Sequence, residues 1–176
     1  MRKLLFFTLF GSTFFACTDK VGTLQGRLAA LDKEMGGANV TDTKKAEEFI
    51  ITAEQLAGLV KEKDPNRYVD LLLKAAGLAK TIENPQKAVE LYSKLAEGMP
   101  QHPKAPTALF MLGFVYENDL GDLAKAKSVY ESFLQKYPND ADFADDAQTA
   151  LKMLGKSPEE IIREFEQQNR DSSLIK

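Results

Sequence analysis

The sequence predicts an all-α protein, an array of antiparallel helix pairs closed by a capping terminal helix. Three observations predict it. Ala88, Tyr92, Leu95 and Pro100 recur 38 residues later as Ala126, Tyr130, Phe133 and Pro138, with every internal gap kept. An apolar set at i, i+4, i+7 followed by a proline is one amphipathic helix and its stop, written twice. The seven prolines, from Pro65 to Pro158, each fall at a break in helical periodicity. Val and Ile never alternate with polar residues over the length of a strand, which is what a half-buried strand would require. Units repeated at this period cannot bury their faces alone and must stack on neighbours. That architecture serves binding before it serves catalysis.

Residues 1–16 belong to something else. Arg2-Lys3 is a basic start, Leu4 to Phe15 is an apolar run broken only by Thr8 and Gly11-Ser12-Thr13, and Cys17 follows directly. Such a run is too short to span a bilayer, which takes about 20 apolar residues, and it reads as a secretory signal. Cys17 is the sole cysteine, so an intrachain disulfide is excluded. Removing residues 1–16 takes Arg2 and Lys3 from the 23 basic residues and none of the 26 acidic ones, moving the net charge from −3 to −5. No basic face remains to serve as a footprint for nucleic acid.

Residues 17–40 form the N-terminus and a short amphipathic helix. Val21, Leu24, Leu28, Leu31 and Met35 are spaced 3, 4, 3, 4, and Gly36-Gly37 ends the run. One apolar stripe of two heptads is short for a coiled coil. It either folds onto the rest of the chain, lies near a membrane or self-associates. In the last case the chain would be a structural oligomerisation module, with its repeats as spacers.

The helical domain is expected over residues 41–169, with a frayed tail at 170–176. Thr41-Asp42-Thr43 offers capping oxygens to a helix running to about Lys63. Its Ala53, Ala57, Val60 and Pro65 repeat the Ala88 spacing, as a degenerate unit would. A helix over Asn66–Ile82 pairs with one over Pro85–Gly98, and Pro100 to Pro106 is a linker. Leu109, Leu112, Gly113 and Tyr116 make the next first helix, Gly121-Asp122 the turn, and Ala126 to Pro138 the second helix. A helix over Asp140–Leu154 follows. Ser157-Pro158-Glu159-Glu160 then opens the last helix with a capping box and proline at its first position. Ile161, Ile162 and Phe165 are expected to face inward.

Leu109, Leu112-Gly113, Tyr116, Ala126, Tyr130 and Pro138 resemble the tetratricopeptide repeat, with one extra residue between Tyr116 and Gly121, where a longer turn is expected. The resemblance implies a right-handed α-solenoid whose first helices line a concave groove. By its register, Asp70, Leu73, Lys74 and Gly77 point there from one unit. Phe110, Met111, Phe114, Glu117 and Asn118 follow from the next, and Asp142, Asp145 and Asp146 from the last. Phe110 and Phe114 lie off the Leu109–Leu112–Tyr116 face, so their helix is apolar nearly all round and needs burial on two sides. Either the chain's own N-terminal helix covers them, or they floor a site for a partner.

Catalytic groups are scarce. His102 is the sole histidine, set in the Pro-rich linker. There is no Ser–His or Cys–His pair, no Cys/His metal set and no Gly-rich phosphate loop. The expectation is no enzyme, no metal, no cofactor and no small-molecule substrate.

Phe14-Phe15-Ala16-Cys17 resembles the lipobox of bacterial lipoproteins, with Phe14 where Leu is common. Tyr116 to Leu120 and Leu154 to Ile162 resemble stretches of tetratricopeptide lipoproteins from Gram-negative, Bacteroidetes-type envelopes. This implies acylation of Cys17, and several acyl chains anchor a protein stably. Thr18-Asp19-Lys20 has no acidic run, so the resemblance implies the periplasmic face of the outer membrane rather than surface export or inner-membrane retention. The implied partner is another envelope protein, bound by a monomer.

Overall fold

Four of the described helices start where a side chain meets the amide groups that a first turn leaves open. Asp42 accepts from the Lys45 amide at 3.1 Å, Asp64 from Arg67 at 3.0 Å and Asp122 from Lys125 at 3.1 Å. Pro65 follows the second of these caps, where its missing N–H costs nothing. The expected capping box is present: the Ser157 amide donates to Glu160 Oε2 at 2.8 Å, and the Glu160 amide to Ser157 Oγ at 3.2 Å.

The computed structural model describes residues 12–36 and 42–174. Within them lie eight α-helices and no strand: α1 Ser12–Glu34, α2 Thr43–Val60, α3 Pro65–Thr81, α4 Pro85–Gly98, α5 Ala105–Phe114, α6 Leu123–Lys136, α7 Ala144–Met153 and α8 Pro158–Leu174. The all-α expectation holds. Residues 1–11 of the expected signal lie outside the described residues, and Cys17 is described by its backbone alone, within α1. No described helix is long and apolar enough to cross a membrane. The last helix continues past Asn169 to Leu174.

The helices divide into two units, residues 1–84 and 85–176. The expected α3–α4 pair is split between them: α3 packs on α2 in the first unit and α4 on α5 in the second. In the first unit α2 lies against both α1 and α3. Leu28, Leu31 and Met35 of α1 are buried, as are Phe49, Ile50, Leu56 and Val60 of α2 and Val69 and Leu72 of α3. The C-terminal part of the Val21–Met35 stripe is therefore spent within its own unit. Arg27 holds Glu48 through two bonds of 2.6 Å, and Lys74 reaches Asp32 at 2.7 Å, pinning α1 to α2 and α3.

In the second unit α4, α5, α6 and α7 pack in succession. The linker is shorter than expected, because Ala105 already starts α5 and Pro106 sits in its first turn. The extra residue after Tyr116 does not lengthen a turn. It is taken up as a π-helical turn, Val115–Asp119, closed by the Leu120 amide donating to Val115 at 3.0 Å and the Asp122 amide to Tyr116 at 2.8 Å. A single π turn of this kind accommodates one inserted residue within a helix. Gly121, at φ +64°, then makes the sharp reversal that a residue with a Cβ rarely adopts.

α7 begins four residues later than the sequence suggests. Asp140 Oδ1 accepts from the amides of Asp142 and Phe143 at 3.2 and 2.9 Å, an Asx turn that delays the helix. The terminal helix also departs from expectation. Ile161 is half-buried, but Ile162 and Phe165 are 58% and 52% exposed.

α6 lies close against α5 at Gly113. A Cβ built on Gly113 would stand 2.6 Å from Tyr130 Cε1 and 2.8 Å from Cδ1. Gly58, inside α2, has nothing within 4 Å of the same position. The two sites predict opposite outcomes for one substitution. Gly58→Ala should stabilise by about 0.5–1 kcal/mol through helix propensity, whereas Gly113→Ala should destabilise by about 1–3 kcal/mol through overpacking. Thermal or urea unfolding of the two variants checks this, and equal shifts would refute the contact.

Candidate partner groove

Tyr130 organises the site. Its ring is buried between α5 and α6, 5.7 Å from the Phe110 ring, and its hydroxyl donates to Glu117 Oε2 at 2.9 Å. Phe110 extends the cluster, stacking on Phe143 at 4.6 Å and meeting Phe133 edge-on at 6.0 Å. Rings at these separations add about 0.5–1.5 kcal/mol per pair beyond burial. Phe110 is thus a core ring whose edge reaches the surface.

On that surface lies a solvent-open hollow of about 320 Å³. One wall comes from α5 and the π turn: Phe110, Phe114, Glu117 and Asn118. The other comes from α7: Asp146, Thr149, Ala150 and Met153, with Tyr130 at the base. The spacing of the α7 set, i, i+3, i+4, i+7, is one helical face. The π turn fixes the first wall, and Asn118 donates its side-chain amide back to the Phe114 carbonyl at 3.1 Å.

Of the residues singled out in the sequence, Phe110, Phe114, Glu117, Asn118 and Asp146 come together here. Met111 is half-buried and does not line the hollow. Asp142 lies in the turn before α7, and Asp145 is exposed on the first turn of α7 outside the lining. The register behind those two assumed a helix starting at Asp140. The face of α7 that lines the hollow is Asp146–Thr149–Ala150–Met153, of which the sequence pointed to Asp146 and missed Thr149, Ala150 and Met153. A recount of that stripe from the Asx turn would have found them.

The positions expected in the first unit are partly occupied. Lys74 is bound to Asp32 of α1 and lies 5.0 Å over the Phe49 ring, so α1 takes the face that α3 was expected to offer. Asp70 is exposed, and Leu73 and Gly77 are half-buried. Tyr116 is half-buried with Lys125 5.3 Å over its ring, rather than filling the space between helices. His102 accepts from the Lys104 amide at 3.1 Å within its turn. Among the described residues no group of three His, Cys, Asp or Glu is placed to hold a metal ion.

A second hollow, between α7 and α8, is lined by Thr149, Lys152, Met153, Ile161, Glu164 and Phe165. It shares Thr149 and Met153 with the first, so apolar surface runs along α7 from one to the other.

With this geometry in view, comparison with protein families is informative. A tetratricopeptide repeat family model matches residues 107–140, which cover most of α5, the π turn, α6 and the turn after it. Comparison with curated proteins and with solved structures gives no match. The class is therefore an all-α, tetratricopeptide-like helical array of the kind that scaffolds protein contacts.

Two measurements check the site. Phe110→Ala should cost about 3–5 kcal/mol, as truncation of a buried aromatic does. Phe114→Ala, at a half-exposed position, should cost about 1 kcal/mol or less. A reversed order in chemical denaturation would exchange their roles.

The tyrosines make a pH prediction. Burial pushes the Tyr92 phenol up to about 12, with the charge of Asp119 adding to it, and burial followed by the Glu117 bond pushes Tyr130 higher still. A phenol held neutral by the fold contributes stability that is full below its ordinary value of 10.0 and is lost as pH rises through the folded one. Helical circular dichroism and tyrosinate absorbance should therefore change together above pH 10. Full tyrosine ionisation near pH 10 with intact helices would contradict this.

Proposed function

We propose that the chain is a lipid-anchored scaffold of the bacterial envelope, which binds another envelope protein through the hollow between α5, the π turn and α7. In this reading Cys17 carries the acyl chains, the anchor is in the outer membrane with the helices on its periplasmic side, and the partner acts in outer-membrane or cell-wall assembly. The observation that carries the binding reading is the half-open aromatic floor. Phe114 and Met153 sit at the surface beside buried Phe110 and Tyr130, with the hydrogen-bonded Glu117 and Asn118 and the exposed Asp146 around them. A few placed polar groups on an apolar concave surface are what recognition sites share.

The burial of Leu28, Leu31 and Met35 within their own unit favours this scaffold over an oligomerisation module, because the stripe such a module would use is largely spent. The anchor reading rests on the sequence before Cys17. Exchange of Cys17 for Ser should abolish acylation and move the protein out of the membrane fraction. Retention of the Ser variant in membranes at unchanged yield would end that reading. For the groove, crosslinking in native membranes should yield a defined adduct with the parent chain and lose it with Phe114→Ala at unchanged helical content. An adduct that persists would place the contact elsewhere.

A further inference from the structure

The groove has an unbalanced charge. Glu117 lines it from the π turn and Asp146 from α7, and no Lys or Arg lines it. Lysines of this unit are engaged elsewhere, Lys125 with Asp122 at 2.7 Å, Lys127 with Glu131 at 3.8 Å and Lys156 with Glu164 at 2.7 Å. Lys152 of α7 faces the neighbouring hollow. Asp146 has a local reason to exist, since it stands in the first turn of α7, where the helix dipole favours a carboxylate. Glu117 has the opposite situation. It stands at the C-terminal end of the α5 helix, in the π turn, where the negative end of the helix dipole disfavours a carboxylate. The Tyr130 hydroxyl fixes its Oε2 at 2.9 Å, leaving Oε1 open for a further donor.

A purely apolar occupant would strip water from both carboxylates and give nothing in return, which is costly. An acidic occupant would be repelled. We propose that the groove receives a segment of a partner protein that carries a lysine or arginine beside an apolar side chain, the apolar group seated on Phe110, Phe114 and Met153 and the cation shared by Glu117 and Asp146. The inference rests on the groove being the partner site, and it adds the chemistry of what enters. A hollow of about 320 Å³ open to solvent suits one or two side chains of such a segment. Enclosed small-molecule sites begin at about this size.

The chain has no tryptophan, so a tryptophan-bearing peptide can be followed by its emission without background. Three synthetic peptides of equal length serve as probes against the full chain in detergent. They share the same apolar residues and carry arginine, citrulline or glutamate at the flanking positions. The arginine peptide should bind and weaken as salt rises, the citrulline peptide should bind about 10-fold more weakly, and the glutamate peptide should not bind. Glu117→Gln keeps an acceptor for Tyr130, and Asp146→Asn keeps shape. Each should weaken the arginine peptide by about 10-fold and leave the citrulline peptide unchanged. If all three peptides bind equally and Phe114→Ala abolishes all of them, the groove stands and the cation is refuted. If Phe114→Ala leaves the arginine peptide bound as before, the groove itself is refuted, and the proposal falls with it. Absence of arginine-peptide binding up to millimolar concentration also overturns the proposal.

Discussion

The contact between the Tyr130 ring and the bare backbone of Gly113 is where the second unit is tied together. Because Gly113 carries no Cβ, α6 comes close enough for the ring to lie directly against α5, where a methyl group would stand 2.6 Å from it. That proximity brings Phe110 within ring contact, closes Phe133 behind it and carries the hydroxyl through to Glu117. One side chain thus belongs to the core at its ring and to the groove at its oxygen. Tight packing of this kind transmits small changes, since a close-packed interior has little room to absorb them. The repeat and its candidate site are consequently one construction.

The two units use apolar surface differently. In the first, α1 lays Leu28, Leu31 and Met35 onto its neighbours, and its charges find partners, Arg27 with Glu48 and Asp32 with Lys74. Exposed pairs of this kind contribute about 0–1 kcal/mol each, so they set register more than stability. In the second, α7 and α8 leave Met153, Ile161 and Phe165 around hollows, and Ile162 faces solvent. Stacked repeats bury such faces against a neighbouring repeat.

Much of this fold was legible in the sequence because caps and stops are local. Asp42, Ser157 with Glu160, and the prolines act within a few residues of themselves, and the predicted boundaries there lie close to the observed ones. The start of α7 was not legible from periodicity, because Asp140 folds back on its own amides while the apolar pattern continues unbroken. Phe110 and Phe114 could not be separated either. They are one turn apart on a helix apolar all round, and only the arrival of Tyr130, Phe133 and Phe143 makes the first of them interior. The direction of Ile162 and Phe165 depends on whether another element follows, and spacing alone does not carry that information.

The π turn has a consequence for how such repeats diversify. It lodges one additional residue at the end of α5, and the reversal at Gly121 and the Asp122 cap of α6 follow directly after it. Glu117 and Asn118, which line the groove, stand on this turn, so a change of length by one residue here would re-aim the groove wall itself. Insertion and deletion at this turn would therefore act on what the groove accepts as directly as substitution does.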